Sequence, residues 1–225
     1  MIKSFVASAC LLLSASPVLA QSDWSLGGSV GVVSDYRYRG YSLSGDDPAL
    51  QAGLTLSHAS GVYGDVFVSS IEEYGIGEDG DGADMEITST LGWAGAIGGF
   101  DVDAAVSSYA YPDGDDVSYV EVPVQVGQTV GDLTWTVGVA YAPPQTALAD
   151  EDNRYGWAGL SYALETWPIS LSGTLGYEEG AFAPYGKSDW SVGAAHGLGP
   201  ATLALTWVDS DVEAGALVAS AFLSF

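Results

Sequence analysis

The sequence predicts an all-β protein: a single transmembrane antiparallel up-and-down β-barrel of about 12 strands in a bacterial outer membrane. Three observations predict it. Hydrophobic residues alternate with period two along most of the chain, connecting segments alternate between long acidic and short neutral ones, and the acids within the predicted strands share one face. After residue 20 no apolar run is long enough for a membrane-spanning helix.

The first twenty residues are expected to be a cleaved signal peptide, which gives two parts, the signal at 1–20 and the barrel at 21–225. Lys3 supplies the positive start, residues 5–13 are mostly apolar, and the segment ends with small Ala20 as signal peptidase requires. Cys10 would leave with the signal. The remaining chain would then have neither a disulfide nor a thiolate metal site.

The charge of the exported chain excludes one class of partner. Without Lys3, four basic residues face 29 acids, a net charge of −25. Non-specific nucleic-acid binding needs a basic surface, so we expect no nucleic-acid partner. The chain is 48% hydrophobic with a mean hydropathy of +0.21, which favours an ordered fold over a disordered acidic chain.

The alternation that identifies strands is clearest at the start of the exported chain. In residues 23–36 the even positions include Trp24, Leu26 and Val30, whereas the odd positions are mostly small or polar. Residues 153–163 do not settle which face is apolar. The same pattern predicts twelve strands at 23–36, 50–58, 62–71, 84–93, 100–111, 118–128, 133–142, 153–163, 168–177, 188–196, 201–208 and 216–225.

The connections predict which end of the barrel faces outwards. Six long connections hold 18 acids and five short ones hold two. Outer-membrane barrels have long extracellular loops and tight periplasmic turns, and twelve strands leave both ends of the chain in the periplasm. The chain also ends in an alternating strand closed by Phe225, which resembles the closing strand that the barrel-assembly machinery reads.

The strand faces favour a membrane barrel over a soluble lipocalin-like barrel. All nine acids within the predicted strands fall opposite the apolar face, as expected because lipid-facing charge costs about 2–4 kcal/mol near the bilayer midplane. The polar face is rich in Gly, Ser and Thr and almost free of Lys. The apolar face carries aromatic residues near strand ends, typical of interfacial girdles: Trp24, Tyr36, Trp93, Trp135, Tyr141, Trp167, Tyr177, Trp190 and Trp207.

Two of the four basic residues stand close together just after the first predicted strand. Extending the alternation of that strand puts Asp35, Arg37 and Arg39 in the lumen as a ladder of charge, and Tyr36 and Tyr38 against lipid. Two interpretations stay open: the arginines pair with acids across the barrel and hold the wall together, or they form a cationic rung in a selective constriction. Candidate acidic partners are Asp65, Glu86 and Glu121.

The motif SDYRYRGYS, followed by a PALQAG stretch and a GVYGD hairpin, is similar to the start of the TorF-like porin family. The resemblance is specific over about residues 27–73 and architectural beyond. Asp65 stands where a small residue is more usual. The resemblance implies an outer-membrane barrel with a pore.

Other candidate sites are weaker. His58 and His196 fall at the periplasmic ends of strands, where anchoring at the interface is favoured over catalysis, so we expect no catalytic residues. Asp79, Asp81 and Glu86 have some spacing of calcium ligands, but Asp84 replaces the EF-hand glycine. A solvated acidic loop is the favoured interpretation, and weak divalent binding at the cell surface is the alternative. No cofactor or resident metal is expected.

The functional expectation is passive diffusion of small hydrophilic solutes, biased to cations. Expected contacts are outer-membrane lipid, lipopolysaccharide and the passing solutes or cations; the oligomeric state is open. The alternatives are a closed structural or adhesive barrel, favoured if Tyr63, Phe67, Tyr109 and Phe222 fill the lumen, and an outer-membrane lipid hydrolase. The predicted pore lining is Asp35, Arg37, Arg39, Asp65, Glu86, Asp101, Asp103 and Glu121.

Overall fold

The computed structural model describes residues 23–77, 80–164 and 166–225, so the predicted signal peptide lies outside the described residues. Twelve strands form the barrel. A two-stranded hairpin between the first two of them forms a separate small sheet. The barrel strands are β1 (Trp24–Val33), β4 (Ala49–His58), β5 (Val62–Tyr74), β6 (Ala83–Ile97), β7 (Phe100–Ala110), β8 (Tyr119–Val130), β9 (Leu133–Ala142), β10 (Asn153–Ala163), β11 (Ile169–Gly180), β12 (Ala183–Leu198), β13 (Ala201–Ser210) and β14 (Ala216–Ser224); the hairpin is β2 (Arg37–Tyr38) with β3 (Tyr41–Ser42).

Each barrel strand pairs antiparallel with its neighbours in the sequence, and β1 pairs with both β4 and β14. The β1–β4 register joins Trp24 to His58 and Val33 to Ala49, and β1 meets β14 at Ser29 and Ser224. The predicted closed barrel of twelve antiparallel strands is therefore confirmed. Closure leaves no strand edge unpaired, which a sheet in hydrocarbon requires. Along the described chain no helix is both long and apolar enough to cross a membrane.

The last residue of the chain is hydrogen-bonded directly to β1. The amide of Gly28 donates to the Phe225 carbonyl at 2.9 Å, and the Phe225 amide donates back at 3.0 Å. A Cβ on residue 28 would stand 2.7 Å from the Phe225 ring, so any larger residue there would displace this ring.

The outer face of the barrel is apolar and the inner face is small or polar. On β13, Leu203, Leu205 and Trp207 are exposed on the lipid face, and the intervening residues point inwards. The parity of β10, which the sequence left open, is settled by buried Tyr155 and exposed Leu160, so its odd positions face the lumen.

The lumen has two zones. The outer mouth is the extracellular end, where inward side chains are buried, such as Glu86, Glu121 and Lys187. The lower lumen is the periplasmic part, where many inward side chains are small, although Tyr63 is buried there with Ala94 and Ala105. Several small inward residues of the lower lumen are partly exposed: Gly53, Thr55, Thr136, Gly159, Ser172, Thr174 and Thr206.

Several strand ends differ from the sequence prediction. β1 ends at Val33, three residues before the predicted end, because the chain turns into the barrel there. In contrast, β5, β11, β12 and β13 run further than predicted on the extracellular side, and β6 does so mainly on the periplasmic side. The extracellular extensions carry polar side chains, such as Glu178 of β11, which is paired with Lys187 of β12. They still form sheet because the backbone hydrogen bonds between strands do not depend on side-chain polarity.

The lipid face predicts a large difference between two adjacent positions. Leu205→Lys places a charge in lipid and should lower the free energy of unfolding by about 2–4 kcal/mol if the site is near the midplane. Thr206→Lys, whose side chain points to the lumen, is the matched control and should cost clearly less. Urea unfolding of the vesicle-reconstituted protein measures both, and equal losses would contradict the assignment of faces.

Candidate functional site

The connection between β1 and β4 folds into the barrel instead of projecting outwards. We call residues 34–48 the inward segment. Its tip is the β2–β3 hairpin, in which Arg37 pairs with Ser42 and Tyr38 pairs with Tyr41. The two residues at the turn, Arg39 and Gly40, both have positive φ, at 50° and 87°, as a tight two-residue hairpin requires.

Arg39 carries the central contact of the outer mouth. Its guanidinium donates to Glu121 Oε2 at 2.6 Å and to Glu178 Oε1 at 2.9 Å. Lys187 Nζ stands 2.8 Å from Glu178 Oε2 and donates to the Arg39 carbonyl at 2.5 Å. We call Arg39, Glu121, Glu178 and Lys187 the mouth cluster. All four side chains are at most 7% exposed, and the two positive charges balance the two carboxylates.

Aromatic rings enclose the Arg39 guanidinium. Its central carbon lies 4.2 Å from the Tyr155 ring centre and 4.7 Å from that of Tyr38, within cation–π range. The Tyr155 hydroxyl donates to Asp189, and the Tyr38 and Tyr109 hydroxyls are 2.9 Å apart. These contacts fix the hairpin tip against several strands of the wall at once.

A second buried carboxylate holds the start of the inward segment. The hydroxyls of Tyr36 and Tyr111 each donate to Glu86 at 3.0 Å. Burial raises the pKa of the Tyr36 phenol well above its ordinary value, and the neighbouring Glu86 raises it further, so the phenol stays protonated and keeps donating. The predicted lipid-facing positions of Tyr36 and Tyr38 are therefore wrong: Tyr36 is buried, and Tyr38 contacts lumen residues.

Arg37 forms ion pairs within the inward segment and with the last loop of the chain. It contacts Asp35 at 2.5 Å and Asp46 at 2.7 Å, and it stands 3.3 Å from Glu213 in the last loop. The predicted ladder of Asp35, Arg37 and Arg39 along one strand is wrong, because the chain has left the sheet before these residues.

Two further loops complete the closed mouth. Leu148, in the short 3-10 turn at Thr146–Leu148, is 3% exposed and packs beside Ala142. Phe182 packs edge-on against Tyr119 at 5.1 Å, and Tyr119 stacks on Tyr109 at 4.6 Å. Aromatic packing and ion pairs together narrow the extracellular end of the lumen.

The predicted pore lining divides between the two zones. Asp35, Arg37, Arg39, Glu86 and Glu121 lie in the closed outer mouth. Of the three partners proposed for the arginines, Glu121 alone forms such a pair; Glu86 accepts from tyrosines instead, as described above, and Asp65 accepts from a threonine.

The other three predicted residues lie in the lower lumen. Asp65 accepts a hydrogen bond from Thr55 at 2.6 Å, and Asp103 accepts one from the Tyr63 hydroxyl at 2.9 Å. Asp101 is exposed near the periplasmic end of β7. Whether these residues line a conducting pore remains a prediction.

Sequence reasoning missed Glu178, Lys187 and Tyr155 as partners of Arg39. The available signal was the scarcity of positive charge, since Lys187 is the only lysine after Lys3. Such a residue in an acidic chain has a strong electrostatic reason to be paired.

The structure gives little support to the weaker candidate sites. His58 Nδ1 stands 2.8 Å from Ser60 Oγ, but both are at an exposed periplasmic turn, where the histidine ring also packs against Trp24. Asp79 of the candidate calcium loop lies outside the described residues. Within the described ranges no group of three or more His, Cys, Asp or Glu residues could hold a metal ion.

The fold defines a class, the closed antiparallel β-barrels of twelve strands. The chain belongs to a particular family, described as "Bacterial protein of unknown function (Gcw_chp)", whose model matches residues 18–223. The TorF-like name expected from the opening motif is not the one that this family carries. A search of curated proteins finds no match.

Solved structures of low sequence identity share the fold. The NanC porin is 8% identical with a TM-score of 0.54, covering 89% of this chain and 98% of its own. An outer-membrane channel from Pseudomonas putida F1 is 12% identical with a TM-score of 0.51, covering 94% and 100%. OmpT of Vibrio cholerae in its trimer form is 10% identical with a TM-score of 0.50, covering 90% and 99%. At these identities the likeness shows the fold alone.

The mouth cluster predicts that one arginine matters far more for stability than another. Arg39→Gln leaves Glu121 buried without its cation and should cost about 3–5 kcal/mol of unfolding free energy. Arg154→Gln removes a surface pair to Asp152 and should change the free energy of unfolding far less, because solvent screens an exposed ion pair. Urea unfolding in vesicles compares them, and equal stabilities would show that the cluster does not hold the mouth.

Proposed function

We propose that the protein is an outer-membrane channel for small hydrophilic solutes, biased to cations and narrowed at its outer mouth by the inward segment. The observation that carries the proposal is the partial exposure of small inward residues in the lower lumen. Inward Gly, Ser and Thr leave more room for water below the mouth than large side chains would. The inward segment is then the main barrier to passage.

The placement of charge supports the cation bias. Asp65, Asp101 and Asp103 are acids of the lower lumen. Of the four basic residues in the described ranges, Arg37, Arg39 and Lys187 are paired with carboxylates in the outer mouth, and the fourth lies on the surface. The fixed charge that a solute meets in the lower lumen is therefore negative, which attracts cations and repels anions.

The packed mouth favours a second candidate function, a closed barrel with a structural or adhesive role played by its acidic loops. Phe67 packs against Tyr36, Tyr109 stacks on Tyr119, and Phe222 is buried beside Val33. Under this alternative the outer surface contacts lipopolysaccharide, with divalent ions joining loop carboxylates to lipid phosphates. The two functions differ in whether ions pass once the inward segment is absent.

Removing the inward segment should enlarge the conductance. Because Val33 and Ala49 are paired across β1 and β4, a four-residue Asn-Gly-containing turn can replace residues 34–48 and keep the register. In planar bilayers the full chain should give small, discrete, cation-selective steps, and the shortened variant larger ones. Heat-modifiable mobility on gels confirms that both are folded.

Each outcome of this conductance experiment separates the candidates. Steps from the shortened variant with a silent full chain would mean a channel closed in its resting state. Silence from both folded proteins, across salts and voltages, would overturn the channel proposal in favour of the closed structural barrel.

Neutralising the lower lumen should reduce the cation preference. The double variant Asp65→Asn and Asp103→Asn removes two lumen charges and should lower the cation-to-anion permeability ratio, measured from the reversal potential in a salt gradient. The control pair Asp150→Asn and Glu151→Gln removes the same charge from an exposed loop. An equal shift from both pairs would show that surface charge sets the selectivity.

A further inference from the structure

A cavity of about 370 Å³ opens in the outer mouth, above the mouth cluster. This volume lies within the range of small-molecule sites in proteins. The walls come from the inward segment and from the extracellular ends of several strands. Aromatic side chains dominate the lining: Tyr38, Tyr41, Tyr74, Tyr111, Tyr119 and Phe182.

The lining is acidic as well as aromatic. It includes Glu72, Glu73 and Glu178 against the single cation Arg39, a net charge of −2. Glu178 is neutralised within the mouth cluster, but every basic side chain of the described ranges pairs with carboxylates other than Glu72 and Glu73. These two carboxylates therefore leave uncompensated negative charge at the cavity rim, which repels anions and attracts cations.

The rings of this cavity already hold positive charge inside the molecule. Lys187 Nζ lies 4.0 Å from the centre of the Tyr41 ring, and the Arg39 guanidinium lies over Tyr38. The rings around the rest of the cavity, including Tyr74 packed edge-on against Tyr111 at 4.9 Å, have no such internal cation in the described part of the chain. A ligand cation can take the corresponding position against them.

We propose that this cavity binds a small organic cation that carries a quaternary ammonium group. Such a group spreads its charge over methyl groups, is weakly hydrated and binds well to aromatic faces. The glutamates at the rim attract the cation through their charge. A quaternary ammonium group has no N–H, so it needs no hydrogen-bond acceptor there. A neutral ligand would gain the ring contacts but not the charge, and an anion would be repelled.

The site goes beyond the proposed channel, because binding at the mouth does not require passage through the lumen. Binding is therefore measured at equilibrium, by calorimetry on the full folded chain in nanodiscs at constant ionic strength. Choline is the probe, and 3,3-dimethylbutan-1-ol, which has the same shape without the charge, is the matched control. Choline should bind saturably and at least about tenfold more tightly than the alcohol, as expected when charge on an aromatic site contributes most of the affinity.

Two pairs of variants place the binding in this cavity. Tyr74→Leu removes one ring and should weaken choline binding about two- to fivefold, whereas Tyr185→Leu removes a fully exposed ring elsewhere and should leave it unchanged. Glu72→Gln with Glu73→Gln should weaken it further, and Asp150→Asn with Glu151→Gln should not.

The outcomes are decisive in both directions. Equal binding of choline and the alcohol would overturn the cation site in favour of a neutral-ligand site. Equal effects of the two tyrosine variants, or no saturable binding by folded protein, would overturn it outright. Because conduction plays no part in these measurements, a silent channel leaves the result intact.

Discussion

The guanidinium of Arg39, held between Glu121 and Glu178, is the contact on which the organisation of the outer mouth depends. These carboxylates project from β8 and β11, on separate parts of the wall. Without Arg39, Glu121 would be buried without a cation, whereas Glu178 would keep Lys187. A charge taken out of water must be paired at close range to be tolerated. The acidic chain therefore brings its scarce positive charge inwards, and the inward segment is the backbone that delivers it.

The barrel itself could be predicted from sequence because its rule is local. Alternation along β4 or β13 indicates which face meets lipid. The pattern is clear because charge in lipid is costly, so acids are kept off that face. The prediction for the inward segment is wrong because it extends the strand alternation beyond Val33, where the chain is no longer part of the barrel sheet. Tyr36 and Tyr38 alternate as lipid-facing girdle residues would, but the chain leaves the sheet after Val33 and carries them inside.

The site could be predicted only in part, because ion pairs join residues far apart in the chain. Glu121 was among the proposed partners since its strand parity faced the lumen. Glu178 and Lys187 were assigned to a loop, where charge is usually solvated, although both lie on strand extensions that line the mouth. Nothing in one sequence states how far a polar hairpin continues as sheet before it turns, so these partners needed the three-dimensional structure.

The pairing of β1 with β14 has a consequence for the order of assembly. The hydrogen bonds between Gly28 and Phe225 join residues separated by nearly the whole chain, so they carry the largest loop-closure entropy of the fold. Until they form, the sheet has two open edges, one on each terminal strand, in a region where water cannot satisfy them. The barrel is therefore expected to acquire its final stability late, in a single closing event, and to need protection of both edges until then.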